Sequence, residues 1–182
     1  MKDDHSMQEN SGEDSTRPDI RPARLVDLPS VATIITQARL WQQREGLPLA
    51  WSKVPESTIQ RSVEHGTAVL VWVDGSPVAT ASLEWEDRDV WHDFRQEDAG
   101  YIHRVATLPT SHNLGLAAQL LDWADAEVVR RQRRYLRCDA VAANSRLCAY
   151  YRKRGFQPRG EALLPGWSRA SMRFERIAEA RR

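Results

Sequence analysis

Residues 101–123 read YIHRVATLPTSHNLGLAAQLLDW, and residues 135–156 read YLRCDAVAANSRLCAYYRKRGF. Each segment opens with an apolar run typical of a strand and continues with apolar residues at helical spacing. The pattern therefore predicts a strand, a glycine-bearing turn, a helix, a second strand and a second helix. This order carries the chemical information in the chain, and the other predicted elements are arranged around it.

The turn of the first segment contains Gly115 and, two residues later, Ala117. A helix N-terminus offers unpaired backbone N–H groups and a partial positive charge, so a turn that opens a helix suits a pyrophosphate. Small residues there would let the diphosphate approach the backbone closely. A glycine near a helix start is usually only a turn, so this interpretation depends on the second segment.

Together the two segments resemble the Gcn5-related N-acetyltransferase (GNAT) superfamily. Its members carry an Arg/Gln-x-x-Gly-x-Gly/Ala turn after their fourth strand. Residues 112–117 match this motif at its fourth and sixth positions but differ at the first, where His112 replaces Arg or Gln. Members also have an Asn at the end of the fifth strand, a Tyr seven residues on, and Gly-Phe four residues later. Asn144, Tyr151 and the pair Gly155-Phe156 reproduce that spacing. The element order is similar over residues 20–176, whereas the motifs lie within 101–156.

The resemblance implies an α/β (α+β) fold. We expect a single GNAT-like domain with a mixed, mostly antiparallel sheet of six to seven strands, flanked by about four helices, and a parallel splayed strand pair at the acetyl-CoA site. Residues 1–18, rich in Asp, Glu, Ser and Asn, predict a disordered N-terminal tail, and residues 19–182 are expected to form the N-acetyltransferase domain.

Local signals predict the remaining elements. Asp74-Gly75 predicts a hairpin between strands at 67–73 and 78–85. Residues 20–25 predict a first strand, and Asp27 is expected to cap the helix that follows. Residues 86–99 predict a charged loop. Three tryptophans fall in or beside the loops that would rim an acceptor pocket: Trp41, Trp51 and Trp91.

The resemblance further implies acetyl-CoA as cosubstrate, with direct transfer of the acetyl group to a primary amine of a small molecule or peptide. A non-catalytic acyl-CoA-binding or regulatory module on the same fold is the alternative. Backbone groups of the strand are expected beside the pantetheine, with one N–H polarising the thioester carbonyl. The implied cofactor-binding residues are Val105, Ala106, Thr107, His112, Asn113, Leu114, Gly115, Leu116, Ala117, Asn144 and Tyr151.

Acetyl transfer needs a proton for the departing thiolate and a base for the ammonium. The resemblance makes Tyr151 the proton donor, because a phenol with a pKa near ~10 stays protonated at neutral pH. His103, on the strand two residues before Val105, is the first candidate base, and strand alternation predicts both side chains on one face. Glu84 is a rival candidate base, as is Glu86. A lone strand histidine is often only structural, so the base is left open.

Composition excludes several classes of function. A net charge of +1 and a pI near 7.9 give no general attraction to nucleic acid. The two cysteines, Cys138 and Cys148, lack CxxC spacing, so no metal site is expected, and a reducing cytoplasm fits best. No apolar stretch approaches the ~20 residues that span a bilayer. The identity of the amine and the oligomeric state, including a homodimer, stay open.

Overall fold

The computed structural model describes residues 18–49, 54–163 and 166–180. The predicted tail at residues 1–17 and the predicted rim residue Trp51 lie outside the described residues. Within them, no helix combines the length and apolar character needed to cross a membrane.

Seven strands and four α-helices make up the described fold. The strands are β1 (Asp19–Pro22), β2 (Ala68–Val73), β3 (Ser76–Glu84), β4 (Ala99–Thr107), β5 (Tyr135–Val141), β6 (Gln157–Ala162) and β7 (Ser171–Ile177). The helices are α1 (Leu28–Arg44), α2 (Glu56–Glu64), α3 (Leu116–Arg130) and α4 (Ser145–Lys153), with short 3-10 helices at Leu25–Asp27 and Pro109–Leu114.

One sheet contains all seven strands in the order β1-β2-β3-β4-β5-β7-β6. Every neighbouring pair is antiparallel except β4 and β5, which run parallel. Their paired residues are confined to the strand starts, from Ala99 opposite Tyr135 to Tyr101 opposite Arg137. Beyond that point the two strands diverge and leave a cleft in the sheet. The predicted GNAT-like fold with a splayed parallel pair is confirmed.

Two apolar cores lie on opposite faces of this sheet. Helices α3 and α4 pack on one face against residues such as Leu83 and Ile102. Helices α1 and α2 pack on the other face against Leu70 and Ala106. The predicted β2–β3 hairpin is confirmed, and both of its turn residues, Asp74 and Gly75, have positive φ as a tight two-residue turn requires.

A β-bulge interrupts β4 at Arg104. Ser82 opposes His103, but Thr80 opposes Ala106, so β4 carries one extra residue there, and Arg104 has a φ of 52°. The extra residue reverses the alternation of side chains. Val105 consequently packs with the α3 and α4 core, on the face opposite His103, and the expectation that these two side chains share a face is wrong.

Two predictions at the N-terminal end of the fold need correction. The first strand ends at Pro22, and the chain turns into a 3-10 helix at Leu25–Asp27. Asp27 precedes α1 as predicted, but its carboxylate accepts the backbone N–H of Arg24 at 2.9 Å and so caps the 3-10 turn. A short polar side chain satisfies whichever backbone donor is nearest, which sequence spacing alone does not identify.

Candidate active site

The cleft between the diverging strands is the first of two adjoining cavities. It has a volume of about 140 Å³ and is lined by α1, β4, β5 and α4. Four residues that the resemblance assigned to the cofactor line it: Val105, Ala106, Asn144 and Tyr151. The remaining ones, Thr107 and residues 112–117, lie further along, where β4 leads through the second 3-10 helix into α3.

The turn that opens α3 has the geometry expected of an anion cradle. Gly115 precedes the helix with φ 67° and ψ 18°, in the left-handed region that disfavours other residues. The first N–H groups of an α-helix lack an intrahelical partner, but in α3 the N–H of Ala118 donates to the carbonyl of Gly115 at 3.0 Å. Those of Leu116 and Ala117 are therefore the ones available to a ligand. The side chain of Leu116 is fully buried in the core, so only its backbone can serve a ligand.

Trp41 lies beside this turn. Its ring meets the imidazole of His112 edge-on at a centroid distance of 4.4 Å. The guanidinium of Arg146, at the start of α4, lies 5.8 Å from the centre of the same ring. Trp41 therefore borders the anion cradle and not the acceptor pocket predicted from the sequence. Sequence reasoning also missed Arg146 as a cation on this side, because the two residues are far apart in the chain.

Tyr151 is buried on α4 and faces the cleft. Burial raises the pKa of its phenol well above the ordinary value, and the nearby Cys138 and Asp139 act in the same direction. The phenol therefore stays protonated over the whole physiological range. Burial also raises the pKa of both cysteines, well above the ordinary value for Cys138, so each stays a thiol.

Asn144, at the end of β5, caps the next helix and makes one further contact. Its side-chain oxygen accepts the backbone N–H of Leu147 at 3.0 Å and caps α4. Its amide nitrogen donates to the carbonyl of Pro48 at 3.3 Å, which ties α4 to the segment after α1. Asn144 lines the cleft, so the cap also sets where the cleft wall lies.

The second cavity, of about 620 Å³, opens on the α2 side of the sheet. It shares Val54, His103, Arg104 and Asp139 with the cleft, so the two spaces meet at these residues. Its charged lining is mostly acidic, with five carboxylates against two guanidinium groups: Glu84, Glu86, Asp87, Asp89 and Asp139, and Arg61 and Arg104. An excess of carboxylates attracts a cationic ligand.

His103 occupies the junction with two carboxylates. Its Nε2 atom lies 3.6 Å from Oδ2 of Asp87. One ligand atom from each of Asp87, His103 and Asp139 can be chosen so that all three lie within 4.8 Å of one another. Burial raises the pKa of the Asp87 carboxyl, while the adjacent imidazole opposes that change. We call these three residues the junction triad.

Asp87 reaches the triad because the loop after β3 is tightly held. The side-chain oxygen of Gln96 accepts the backbone N–H of Asp87 at 2.8 Å, and its nitrogen donates to the carbonyls of Trp91 and Phe94. Arg133 donates to three further carbonyls, at 2.6 to 2.9 Å, at the two ends of the loop. The predicted charged loop is therefore an ordered part of the site.

Trp91 anchors the same loop from inside. It is fully buried, so its predicted place at the rim of an acceptor pocket is wrong. Its ring packs near the guanidinium groups of Arg137 and Arg173 and against the ring of Tyr101. The charged sequence around Trp91 predicts an exposed side chain. Its burial depends on packing against two arginines that are distant in the chain, which the local sequence does not indicate.

Glu84, the rival candidate base, lines the acidic cavity but is paired with Arg104. The Arg104 side chain also donates to the hydroxyl of Ser82 at 3.3 Å. The guanidinium occupies the carboxylate, so a substrate ammonium would have to displace it before Glu84 could take a proton. Glu86, the other rival candidate, lines the same cavity and pairs with Arg88 at 2.9 Å. Of the three candidates, His103 is the one without a guanidinium partner among the described residues.

Comparisons with known proteins agree with this geometry. The model of the acetyltransferase (GNAT) family matches residues 34–156. YesJ of Bacillus subtilis, described as an uncharacterized N-acetyltransferase, is 28% identical over 145 residues, which cover 75% of this chain and 79% of YesJ.

Solved structures show the same fold. A GNAT-family acetyltransferase from Listeria monocytogenes superposes with a TM-score of 0.76 at 18% identity, over 88% of this chain and 94% of its own. N-acetylglutamate synthase from Neisseria gonorrhoeae, complexed with coenzyme A and N-acetyl-glutamate, superposes with a TM-score of 0.65 at 20% identity, over 90% of this chain and 35% of its own. An acetyltransferase from Salmonella typhimurium with its cofactor acetyl-CoA superposes with a TM-score of 0.65 at 15% identity, over 90% of this chain and 95% of its own. On the family match, the chain belongs to the GNAT acetyltransferase family.

Proposed function

We propose that the protein is an acetyl-CoA-dependent N-acetyltransferase that transfers acetyl directly to a primary amine of a small molecule or peptide. The observation that carries this proposal is the meeting of the two cavities at His103, Arg104 and Asp139. One cavity is the cleft, which together with the cradle further along suits an acyl-CoA, and the other has the negative lining suited to an ammonium. The complexes of the Neisseria and Salmonella relatives with coenzyme A and acetyl-CoA support the choice of acyl donor.

The residues present fit acetyl-CoA. The turn at Gly115 and the first N–H groups of α3 would hold the pyrophosphate, with Arg146 as a nearby cation. The diverging ends of β4 and β5 would flank the pantetheine, because strands that no longer pair with each other leave backbone groups for a ligand. When bound, acetyl-CoA supplies an acetyl group activated as a thioester.

The acceptor is bound and deprotonated on the acidic side. An alkylammonium has a pKa near ~10.4, so it arrives charged and must lose a proton before it can attack. Asp87 and Asp139 accept hydrogen bonds from the ammonium, and Nε2 of His103 takes the proton, directly or through one water molecule. The C–N bond then forms as the C–S bond breaks, and the nitrogen releases its second proton to water in the acidic cavity. Tyr151, which gives its proton to the thiolate, takes one back from water after the product leaves.

Tyr151 completes the reaction on the cleft side by donating its phenolic proton to the departing thiolate. The raised pKa means that the phenol carries its proton before the reaction begins. No acyl-enzyme is required. Both cysteines are buried thiols with raised pKa values, and a thiol is a far weaker nucleophile than a thiolate.

A broad screen of primary amines with acetyl-CoA, measured by release of free thiol, tests the proposal. We expect amine-dependent release with at least one alkylamine or peptide N-terminus, and an N-acetyl product by mass spectrometry. The alternative, a non-catalytic acyl-CoA-binding module, predicts tight coenzyme A binding with thiol release no faster than in buffer for every amine. That result would exclude the enzymatic proposal.

A further inference from the structure

The junction triad also has the composition of a transition-metal site. Its ligands are one imidazole and two carboxylates, drawn from the loop after β3, from β4 and from β5. Imidazole suits Zn²⁺, Co²⁺ and related ions, whereas a site for Mg²⁺ or Ca²⁺ is built from oxygen alone. Because the three residues come from separate elements, no local spacing in the sequence indicates such a site.

A second observation points to a missing cation. Oδ2 of Asp87 is buried and has no hydrogen-bond partner among the described residues. The whole Asp87 side chain retains only 8% of its exposure, and this atom faces Nε2 of His103 across 3.6 Å. A buried carboxylate oxygen without a partner is unusual in native structures. A cation at the centre of the triad would supply that partner.

The distances suit a metal after small side-chain movements. Zn²⁺ binds N and O ligands at about 2.0–2.2 Å, which sets ligand atoms of a tetrahedral site roughly 3.3 Å apart. The pair Asp87 and His103 is already near this separation, and all three atoms lie within 4.8 Å. Rotations that move each atom by less than about 1 Å would close the site.

Neighbouring groups orient both carboxylates, as they do in metal centres. The other oxygen of Asp87 accepts the backbone N–H of Val90 at 3.0 Å. Oδ2 of Asp139 accepts the hydroxyl of Ser171 at 2.8 Å. The cavity of about 620 Å³ gives an ion access to the triad from the α2 side of the sheet.

We propose that Asp87, His103 and Asp139 bind one Zn²⁺ ion, and that the bound ion excludes the amine acceptor. The ion would occupy the lone pair of His103 and the carboxylates that an ammonium needs. The inhibition rests on the proposed function, whereas the binding does not. Zinc should therefore compete with the amine and leave acetyl-CoA binding unaffected.

Isothermal titration calorimetry with Zn²⁺ on EDTA-stripped, desalted protein tests the binding. We expect one ion per chain, binding of Co²⁺ with visible d–d absorption, and no saturable heat with Mg²⁺. Asp139→Asn and His103→Gln should each weaken Zn²⁺ binding at least tenfold. His92→Gln is the matched control, because His92 is an exposed histidine outside the triad, and it should bind as the parent does. Circular dichroism confirms that each variant is folded.

Absence of saturable Zn²⁺ binding, or an equal loss in the His92 variant, would overturn the metal site. Binding without competition against the amine would overturn the inhibition. If Zn²⁺ binds with one-to-one stoichiometry and no amine is ever acetylated, the proposed function fails while the metal site stands. If amines are acetylated and Zn²⁺ does not bind, the reverse holds.

Discussion

Replacing Tyr151 with phenylalanine removes the proposed proton donor and little else. The ring remains packed against Phe156 and Phe174, both 5.5 Å away between centroids, so the wall of the cleft keeps its shape. Without the donor, the thiolate must leave unprotonated. We expect kcat to fall roughly tenfold to several hundredfold, which corresponds to about 1.4–3.4 kcal/mol in the activation barrier. The KM for acetyl-CoA and the affinity for coenzyme A should change less than about twofold.

The cost in stability is small and separable from the kinetic effect. The lost hydroxyl belongs to a residue that lines the cleft, so its removal costs at most the value of one hydrogen bond, about 1 kcal/mol. In a domain of this size that lowers the Tm by about 2–4 °C, which calorimetry resolves. An assay well below the Tm therefore reports on catalysis alone.

The neighbouring Tyr150 provides a matched control. Its hydroxyl is buried without a hydrogen-bond partner among the described residues, so removing it leaves no partner unsatisfied. Tyr150→Phe should keep full turnover and equal or exceed the parent in stability. Unchanged turnover in Tyr151→Phe, or an equal loss in both variants, would refute the assignment of Tyr151 as the acid.

Three further predictions follow from the same contacts. Gly115→Ala should lower the free energy of unfolding by about 1 kcal/mol, because its φ is positive, and should weaken coenzyme A binding about tenfold. Gly75→Ala, at a similar φ and with equally open surroundings, should cost the same stability and leave coenzyme A binding intact. Equal coenzyme A affinities of the two variants by calorimetry would contradict the proposed anion cradle. Gln96→Ala should lower the free energy of unfolding, measured by urea denaturation, by about 2 kcal/mol and should lower kcat/KM for the amine, because the loop that carries Asp87 loses three hydrogen bonds. An unchanged kcat/KM would show that the loop plays no part in amine binding. Burial raises the pKa of Tyr151, so its proton is retained where a free tyrosine begins to lose it. We therefore expect no decline in kcat between about pH 8 and pH 9.5. A decline in that range that disappears in Tyr151→Phe would contradict this prediction.

The elements that the sequence predicted well are those set by nearby residues. Asp74-Gly75 specifies a tight hairpin by its own backbone preferences, and the strand–turn–helix order around Gly115 follows from local periodicity. The spacing from Asn144 to Tyr151 likewise lies within one turn and one helix. Such features need no knowledge of what the chain meets on folding.

The features that escaped prediction depend on distant contacts. The bulge at Arg104 inserts one residue without any glycine or proline to mark it, and it separates His103 from Val105. Asp87 lies in the segment that the sequence predicts only as a charged loop, and the folding of that loop turns it toward His103. Asp139 gave no signal at all, because a single acidic residue in a strand has no pattern.

A crystal structure with a bisubstrate analogue, coenzyme A joined through its sulfur to an alkylamine, tests the central claim most directly. We expect the pyrophosphate at Gly115 and the first turn of α3, and the sulfur within hydrogen-bond reach of the Tyr151 hydroxyl, about 3.0–3.5 Å. The amine nitrogen should lie between Asp87, His103 and Asp139, on the acidic side of the junction. A sulfur more than about 6 Å from Tyr151, or an amine directed away from the junction triad, would contradict the account.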